Sequence, residues 1–202
     1  FKRTSGALGL SVLAAGPVAA RDLTYAIGFP TGSSPVNTLE KFAAYASENY
    51  DLNIKIFALS LLDLRQTPQG IADHIVDMGW ATYQYQPAEF ANSNLAAAMN
   101  MLATKEGTPG IGSYAMGGAV TEYLMLHCPE CTAEFSAQNQ VYLGGHATGS
   151  YVTQCTKPVV SKEDFAGIKV RTAAPSWARW AESMGATSVT ISANEAYEAL
   201  SQ

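Results

Sequence analysis

Short runs of strand-forming residues alternate with helical patterns along the chain from Leu23 onward. This alternation restricts the fold most, because strand–helix–strand units build parallel sheets with helices packed on their faces. Strands are predicted at residues 23–29, 53–58, 77–83, 139–143, 151–155, 168–171 and 187–191. Helical patterns occupy residues 63–73, 175–184 and most of 87–138. The sequence therefore predicts an α/β fold.

Two helix start signals stand at opposite ends of this pattern. Serine before Pro35 is typical of a helix N-terminus, and Val36, Leu39 and Phe42 then recur on one helical face. Near the end of the chain, Ser192-Ala-Asn-Glu195 has the spacing of a capping box. A helix starting there has barely two turns before Gln202, so we expect the sequence to be truncated at its C-terminus.

The first twenty residues differ from the rest. Lys2 and Arg3 precede an apolar run, Gly16-Pro17 breaks it, and small residues follow at 18–20. This order is typical of a secretory signal peptide. No uninterrupted apolar stretch reaches the roughly 18 residues of a membrane span. We therefore expect residues 1–20 to be an export signal.

The charge of the chain argues against an extended polyanionic partner. The formal net charge is −5 with 12 basic and 17 acidic residues, and without Lys2 and Arg3 it becomes −7. Such a surface disfavours nucleic acid. A small anion is still compatible with it, because a single buried arginine sets the local field at a site.

Three cysteines, Cys128, Cys131 and Cys155, predict one disulfide in an exported protein and leave one thiol over. A bridge from Cys131 to Cys155 is preferred because it closes the larger loop, and a local Cys128–Cys131 bridge stays open. The C-x-x-C spacing lacks a second ligand pair for zinc, and no strand leads into it as in a thioredoxin-like motif. No metal site is predicted.

An enzyme is disfavoured by the absence of a catalytic pattern. His74, His127 and His146 stand in a helical run, at a helix end and in a glycine-rich run, with no nucleophile motif around them. Glycine-rich nucleophile elbows, H-E-x-x-H zinc motifs and phosphate-binding glycine loops are also missing from the sequence.

Arg171 ends the predicted strand 168–171, and small residues and Pro175 follow it. Ligands of open α/β sheets bind at the carboxyl ends of strands, and a guanidinium can donate two parallel hydrogen bonds to a carboxylate. The structural alternative is an ion pair with Asp164 or Glu195.

Several motifs around Arg171 carry a family resemblance. Gly167-Ile-Lys-Val-Arg171, Trp180-Ala-Glu-Ser-Met-Gly185 and Val189-Thr-Ile-Ser-Ala-Asn-Glu195-Ala-Tyr197 occur in order. From about residue 22 to its end the chain resembles the DctP-like substrate-binding proteins of TRAP (tripartite ATP-independent periplasmic) transporters. The resemblance implies a two-lobed periplasmic binding protein fold with a ligand cleft between the lobes. The first lobe would span 21–143 and the second, incomplete lobe 144–202, with the glycine-rich run 144–149 at the crossing.

The same resemblance implies a monomeric periplasmic receptor that binds a small organic acid and delivers it to membrane permease subunits. It implies no cofactor and no reaction on the ligand. The arginine at the position of Arg171 binds the ligand carboxylate in this family, and other contact positions fall on Thr31, Thr82, Tyr83, Tyr85 and Tyr151.

Two aromatic residues refine this expectation. Tyr151 stands where acid-binding members often have a second arginine, which favours a monocarboxylate or a ligand with an aromatic or hydroxylated body. Trp177 follows the strand of Arg171 closely enough to be a further contact.

Two other interpretations of the sequence stay open. The chain could be the solute-binding protein of an ATP-driven importer or of a sensor, since two-lobed modules serve all these systems. An exported enzyme is the weaker alternative. Adjacent genes for a small and a large membrane subunit would favour the TRAP transporter, and an adjacent ATPase gene would contradict it.

Overall fold

The computed structural model of the chain describes residues 21–99, 102, 112–148 and 151–201. The expected export signal at 1–20 lies outside the described residues. The strands are β1 (Arg21–Ile27), β2 (Leu52–Ala58), β3 (Met78–Gly79), β4 (Lys169–Thr172) and β5 (Thr187–Thr190). The helices are α1 (Ser34–Tyr50), α2 (Thr67–Ala72), α3 (Ala91–Ala98), α4 (Gly112–Glu122), α5 (Pro129–Ala137), α6 (Pro175–Ser183) and α7 (Ala196–Leu200). This mixed order confirms the α/β class.

The first sheet has the order β2-β1-β3, and all its strands are parallel. Its core joins Ile27 at the end of β1 to Val36 and Leu39 on α1. Helix α1 begins after Ser33 with Pro35 in its first turn, as the sequence predicts, and ends where Asp51 takes a left-handed conformation. The apolar face of α1 thus covers one face of the sheet.

A second cluster of aromatic side chains lies beside this sheet, where α3 meets α5. Phe90 and Phe135 are buried at its centre, with ring centroids 4.9 Å apart. Glu134 on α5 binds the N-terminus of α3 by accepting from the backbone N–H groups of Asn92 and Ser93 and from both their side chains. Packing and this carboxylate cap together fix the two helices.

The disulfide joins Cys128 to Cys131, and Cys155 is a free, exposed thiol. The preferred Cys131–Cys155 pairing is therefore wrong, and the local alternative is correct. Loop length affects the entropy of the unfolded chain only. In the folded chain, Cys128 caps α5, which places its sulfur one helical turn from Cys131.

The second sheet pairs β4 with β5 in parallel, and α6 connects them. Phe165, Ala181 and Ala186 form its small core. A short 3₁₀ turn at Glu163–Phe165 leads into β4. The strand–helix–strand unit predicted around Arg171 is confirmed.

Two predicted strands are absent from the described residues: 139–143 and 151–155 have no strand pairing. Asn139 takes a left-handed conformation after α5, and the buried Gln140 side chain donates to the carbonyl of Pro68 at 2.7 Å. This side-chain hydrogen bond takes the place of the backbone hydrogen bonds that the predicted strand would have made. The residues of 151–155 suit a strand but have no neighbouring strand in the described part of the chain, and propensity alone does not make one.

The predicted strand 77–83 is also shorter than expected, because the chain leaves the sheet after β3. Tyr83–Tyr85 form a 3₁₀ turn in which the N–H of Tyr85 bonds to the carbonyl of Thr82. Among the described helices, none is long and apolar enough to cross a membrane.

Candidate ligand-binding site

Arg171 lies on β4, one residue before the strand ends, and its side chain is half-buried. Its Nε donates to the carbonyl of Ile191 at 3.0 Å, and its Nη2 donates to the hydroxyl of Tyr85 at 2.5 Å. In the part of the chain that the structure describes, no carboxylate lies within 4.0 Å of the guanidinium. Asp164 accepts instead from Val160 and Ser161, and Glu195 from Ser192. The ion-pair alternative is therefore wrong for these residues.

Tyr85 joins the two sheets at this point. It is 8% exposed and follows β3, whereas its hydrogen-bond partners belong to the segments around β4 and β5. Its oxygen accepts from Arg171 and also from the backbone N–H of Ala193 at 3.0 Å. A phenol oxygen has two lone pairs and one proton, so these bonds use its accepting capacity and leave its O–H as a donor.

Arg171 likewise has N–H donors that are not used by the described residues. A guanidinium carries five N–H groups, and two of those on Arg171 bond to the described residues. Carboxylate oxygens only accept hydrogen bonds, so the remaining N–H groups and the Tyr85 O–H match the chemistry of an acid.

Aromatic side chains surround this pair. Leu64, Tyr85 and Ala173 form a buried cluster, against which Phe29, Trp80 and Trp177 pack. Tyr151 lies on Trp177 with ring centroids 4.0 Å apart. The structure therefore brings together four of the predicted site residues: Arg171, Tyr85, Trp177 and Tyr151.

The other three predicted residues make no side-chain hydrogen bond to Arg171. Thr31 is exposed in the loop after β1, and Thr82 is half-buried and bonds to Tyr85 only through the backbone. Tyr83 belongs to the aromatic cluster of α3 and α5, where its ring lies 5.7 Å from that of Phe135. Burial, with smaller contributions from Tyr142 and Glu134, raises the pKa of Tyr83 well above the usual range.

Residues 191–194 form the turn on which Arg171 rests. Ser192 is fully buried, its hydroxyl accepts from the N–H of Asn194, and Glu195 accepts from the N–H of Ser192. The predicted capping box is thus confirmed. It starts a short 3₁₀ turn that leads into α7.

The turn and the first sheet are joined by a contact that the sequence did not predict. Asn194 donates to the carbonyl of Gly28 and accepts from the N–H of Leu64. Gly28 permits this approach, because a Cβ there would lie 2.5 Å from the nitrogen of Leu64. No local pattern signals a pairing between residues 166 positions apart.

An open groove of about 470 Å³ lies apart from this site, along α4 and the turn that follows it. Its lining includes Gly117, Gly118, Met125 and Leu126, and none of the predicted site residues. In the described part of the chain, no group of three or more His, Cys, Asp or Glu side chains is placed to hold a metal ion.

Residues 120–202 match the family model of the bacterial extracellular solute-binding proteins of family 7, DctP. No curated protein sequence matches the chain. Among solved structures, a TRAP solute-binding protein from a marine metagenome, specific for aromatic acid ligands and bound to 3-hydroxybenzoate, is 20% identical with a TM-score of 0.69. The match covers 91% of this chain and 55% of that one.

Two further structures show the same fold. The periplasmic ectoine-binding protein of a TRAP transporter from Halomonas elongata is 16% identical, with a TM-score of 0.68 and coverage of 88% of this chain and 56% of its own. A TRAP solute-binding protein from Sulfitobacter sp. NAS-14.1, with bound β-D-galacturonate, is 19% identical, with a TM-score of 0.63 and coverages of 89% and 58%.

The chain spans about half the length of these solved relatives, so it holds part of their two-lobed fold. The family match covers Arg171, Tyr151, Trp177 and the turn 191–194, and Tyr85 lies outside the matched residues. Residues 120–202 are therefore similar in sequence to the DctP family of bacterial extracellular solute-binding proteins, and most of the chain has the fold of TRAP solute-binding proteins.

Proposed function

We propose that this chain is the ligand-binding part of a periplasmic receptor that binds a small organic acid and delivers it to the membrane subunits of a TRAP transporter. The observation that carries the proposal is the Arg171 guanidinium, which is half-buried and has no carboxylate partner among the described residues. Taking a charge partly out of water without a counter-ion is unfavourable. An acidic ligand would supply that counter-ion.

The surroundings of Arg171 favour a ligand with a flat or hydroxylated body. Trp177, Tyr151 and Tyr85 offer ring faces, and the Tyr85 hydroxyl offers a donor beside the guanidinium. Solved relatives bind 3-hydroxybenzoate, pyroglutamic acid and galacturonate, and each of these is an acid. We infer a monocarboxylate held at one end by Arg171 and along its body by aromatic rings.

The two sheets suggest how binding would be coupled to transport. In this proposal, residues 21–143 and 144–202 form the two lobes, and a ligand between them contacts Tyr85 from the first lobe and Arg171 from the second. Closure of two lobes around a ligand is a common hinge motion. The closed form would then be the one that the permease recognises.

A thermal-shift screen of the full-length protein tests the receptor function. The panel holds 3-hydroxybenzoate, pyroglutamate and galacturonate, each beside its neutral amide. A ligand at about 100 times its Kd adds roughly 2.7 kcal/mol of stability, which raises Tm by several degrees. We expect a shift with at least one acid and none with its amide.

Arg171→Ala tests the role of the guanidinium with the acid that gives the shift. Losing one side of a charged contact costs about 2–5 kcal/mol, roughly 30-fold to a few thousand-fold in Kd by calorimetry. Arg179→Ala is the matched control, because Arg179 is exposed on α6, next to the same strand. Equal Kd values for the wild type and the Arg171 variant would contradict the assignment.

A further inference from the structure

The side chain of Asn194 bridges the two sheets. Its Nδ2 donates to the carbonyl of Gly28 at 3.0 Å, just after β1, and its Oδ1 accepts from the N–H of Leu64 at 3.3 Å. Gly28 offers an acceptor and Leu64 a donor, so only one orientation of the amide satisfies both. The contact therefore fixes the turn 191–194 against the end of β1.

The same turn holds Arg171 in two ways. The carbonyl of Ile191 accepts directly from Nε of Arg171. The N–H of Ala193 donates to the Tyr85 hydroxyl, which in turn accepts from Nη2 of Arg171. Both acceptors of the guanidinium are thus linked to the turn that Asn194 ties to the first sheet.

We propose that Asn194 is a positioning residue for Arg171. By holding the turn 191–194 against Gly28 and Leu64, it keeps the Ile191 carbonyl and Tyr85 hydroxyl in place as the two acceptors of the guanidinium. Asn194 acts through these groups, since it makes no hydrogen bond to Arg171 itself among the described residues.

Fixing the guanidinium before a ligand arrives matters for affinity. A free arginine side chain samples many rotamers, and each one lost on binding reduces the affinity for the ligand. Two acceptors at different nitrogens hold the planar fork in one orientation and leave its other N–H groups available. This consequence for the ligand rests on the proposed receptor function.

The exposure of Asn194 suits a contact that must open. Asn194 lies at the surface, so water can replace its partners when the sheets move apart. A buried amide would leave unpaired groups in the same movement. The turn can therefore be released and reset as the lobes open and close.

Hydrogen exchange of the Arg171 Nε–H, followed by NMR on the full-length protein with ¹⁵N-labelled arginine and no ligand, tests this proposal. The signal is assigned with Arg171→Lys. In Asn194→Ala, we expect the Nε–H to exchange about 5- to 30-fold faster, the factor that corresponds to losing one or two hydrogen bonds. Asn194→Asp keeps the oxygen that accepts from Leu64 but sets a second oxygen against the Gly28 carbonyl, so it should exchange faster as well.

Glu195→Gln is the matched control. Glu195 caps the same turn from within, through the N–H of Ser192, and has no hydrogen bond to the first sheet among the described residues. In Glu195→Gln, the Arg171 Nε–H should exchange at the wild-type rate. Unchanged exchange in Asn194→Asp, or equal acceleration in Glu195→Gln, would overturn the positioning role even if Asn194→Ala fails to fold. Because this experiment uses no ligand, such a result does not bear on the proposed receptor function. The thermal-shift screen tests that function separately.

Discussion

The hydroxyl of Tyr85 accepts hydrogen bonds from Arg171 and from the N–H of Ala193, whereas Tyr83, two residues earlier, packs among phenylalanines. The two tyrosines look alike in the sequence, and the family resemblance predicts both as ligand contacts. The 3₁₀ turn between them directs one ring into the α3–α5 cluster and the other toward β4. Their neighbours therefore give the two hydroxyls different roles.

Tyr85→Phe should lower the free energy of unfolding by about 1–3 kcal/mol, because it leaves the N–H of Ala193 and one N–H of Arg171 without their acceptor. Urea unfolding at neutral pH measures the difference. Tyr83→Phe is the matched control and should cost less, since its hydroxyl has no hydrogen bond to the described residues. Equal losses in the two variants would contradict the hydrogen-bond assignment.

At the scale of elements, α3 and α5 depend on one carboxylate. Burial raises the pKa of Glu134, but the hydrogen bonds from Asn92 and Ser93 outweigh burial and hold it below its usual value. These donors include the first N–H groups of α3, which have no partner within the helix. The charge also meets the positive end of the helix dipole.

Glu134→Gln should destabilise the protein by about 0.5–2 kcal/mol near pH 7, the usual cost of losing a helix cap. A carboxyl whose pKa is lowered in the folded state stabilises above its unfolded pKa, about 4.3, and loses that contribution as pH falls through the folded value. The difference between wild type and variant should therefore shrink below pH 4. Urea unfolding at several pH values measures it, and a difference that grows in acid would contradict the prediction.

The disulfide is a second device at the scale of elements, because it locks the first turn of α5. Cys128 and Cys131 are 5% and 0% exposed, beside Phe135. Cross-linking a loop this short stabilises by about 2 kcal/mol in the chain-entropy model. The disulfide also restrains the helical turn that precedes Glu134.

Reduction of the protein should lower its free energy of unfolding by about 2 kcal/mol, measured by urea unfolding with and without reductant. Cys155→Ser should respond to reductant like the wild type, since Cys155 is outside the disulfide. Mass spectrometry after alkylation of the unreduced protein should find the label on Cys155. Label on Cys128 instead would indicate the Cys131–Cys155 pairing.

At the scale of the whole molecule, the two sheets differ in the number of their strands and in the core packed against them. In the first sheet β1 is central, bonded to β2 on one side and β3 on the other, and α1 covers its face. Among the described residues, the second sheet has one pair of short strands and a small core around Ala181. Two strands are marginal alone, so the second sheet relies on α6 and on its contact with the first.

Amide hydrogen exchange should follow this difference. We expect the amides of β1 to exchange most slowly and those of β4 and β5 faster, because strands with fewer neighbours open more easily. Mass spectrometry of peptic fragments from the chain of residues 21–202 measures the rates. Slower exchange in β4 and β5 than in β1 would show that the second sheet is the more stable one.

Much of the fold was predictable because its signals are local. The start of α1 at Pro35, the capping box at Ser192 and the strand that carries Arg171 are each specified by residues close in sequence. The segments at 139–143 and 151–155 have strand-forming residues, yet a strand also needs a neighbour to pair with. The residues of a segment do not show whether a neighbouring strand will be there to pair with it.

The sequence by itself determined the α/β class, the motifs shared with the solute-binding proteins and the place of Arg171 near the end of a strand. Only the tertiary structure decided that Tyr85 and the Ile191 carbonyl hold the guanidinium, that Asn194 reaches Gly28, and that Cys131 pairs with Cys128. The physical reason is distance along the chain. Helix caps and hydrophobic periods act over a few residues, whereas Gly28 and Asn194 meet only after each sheet has formed and the two have packed together.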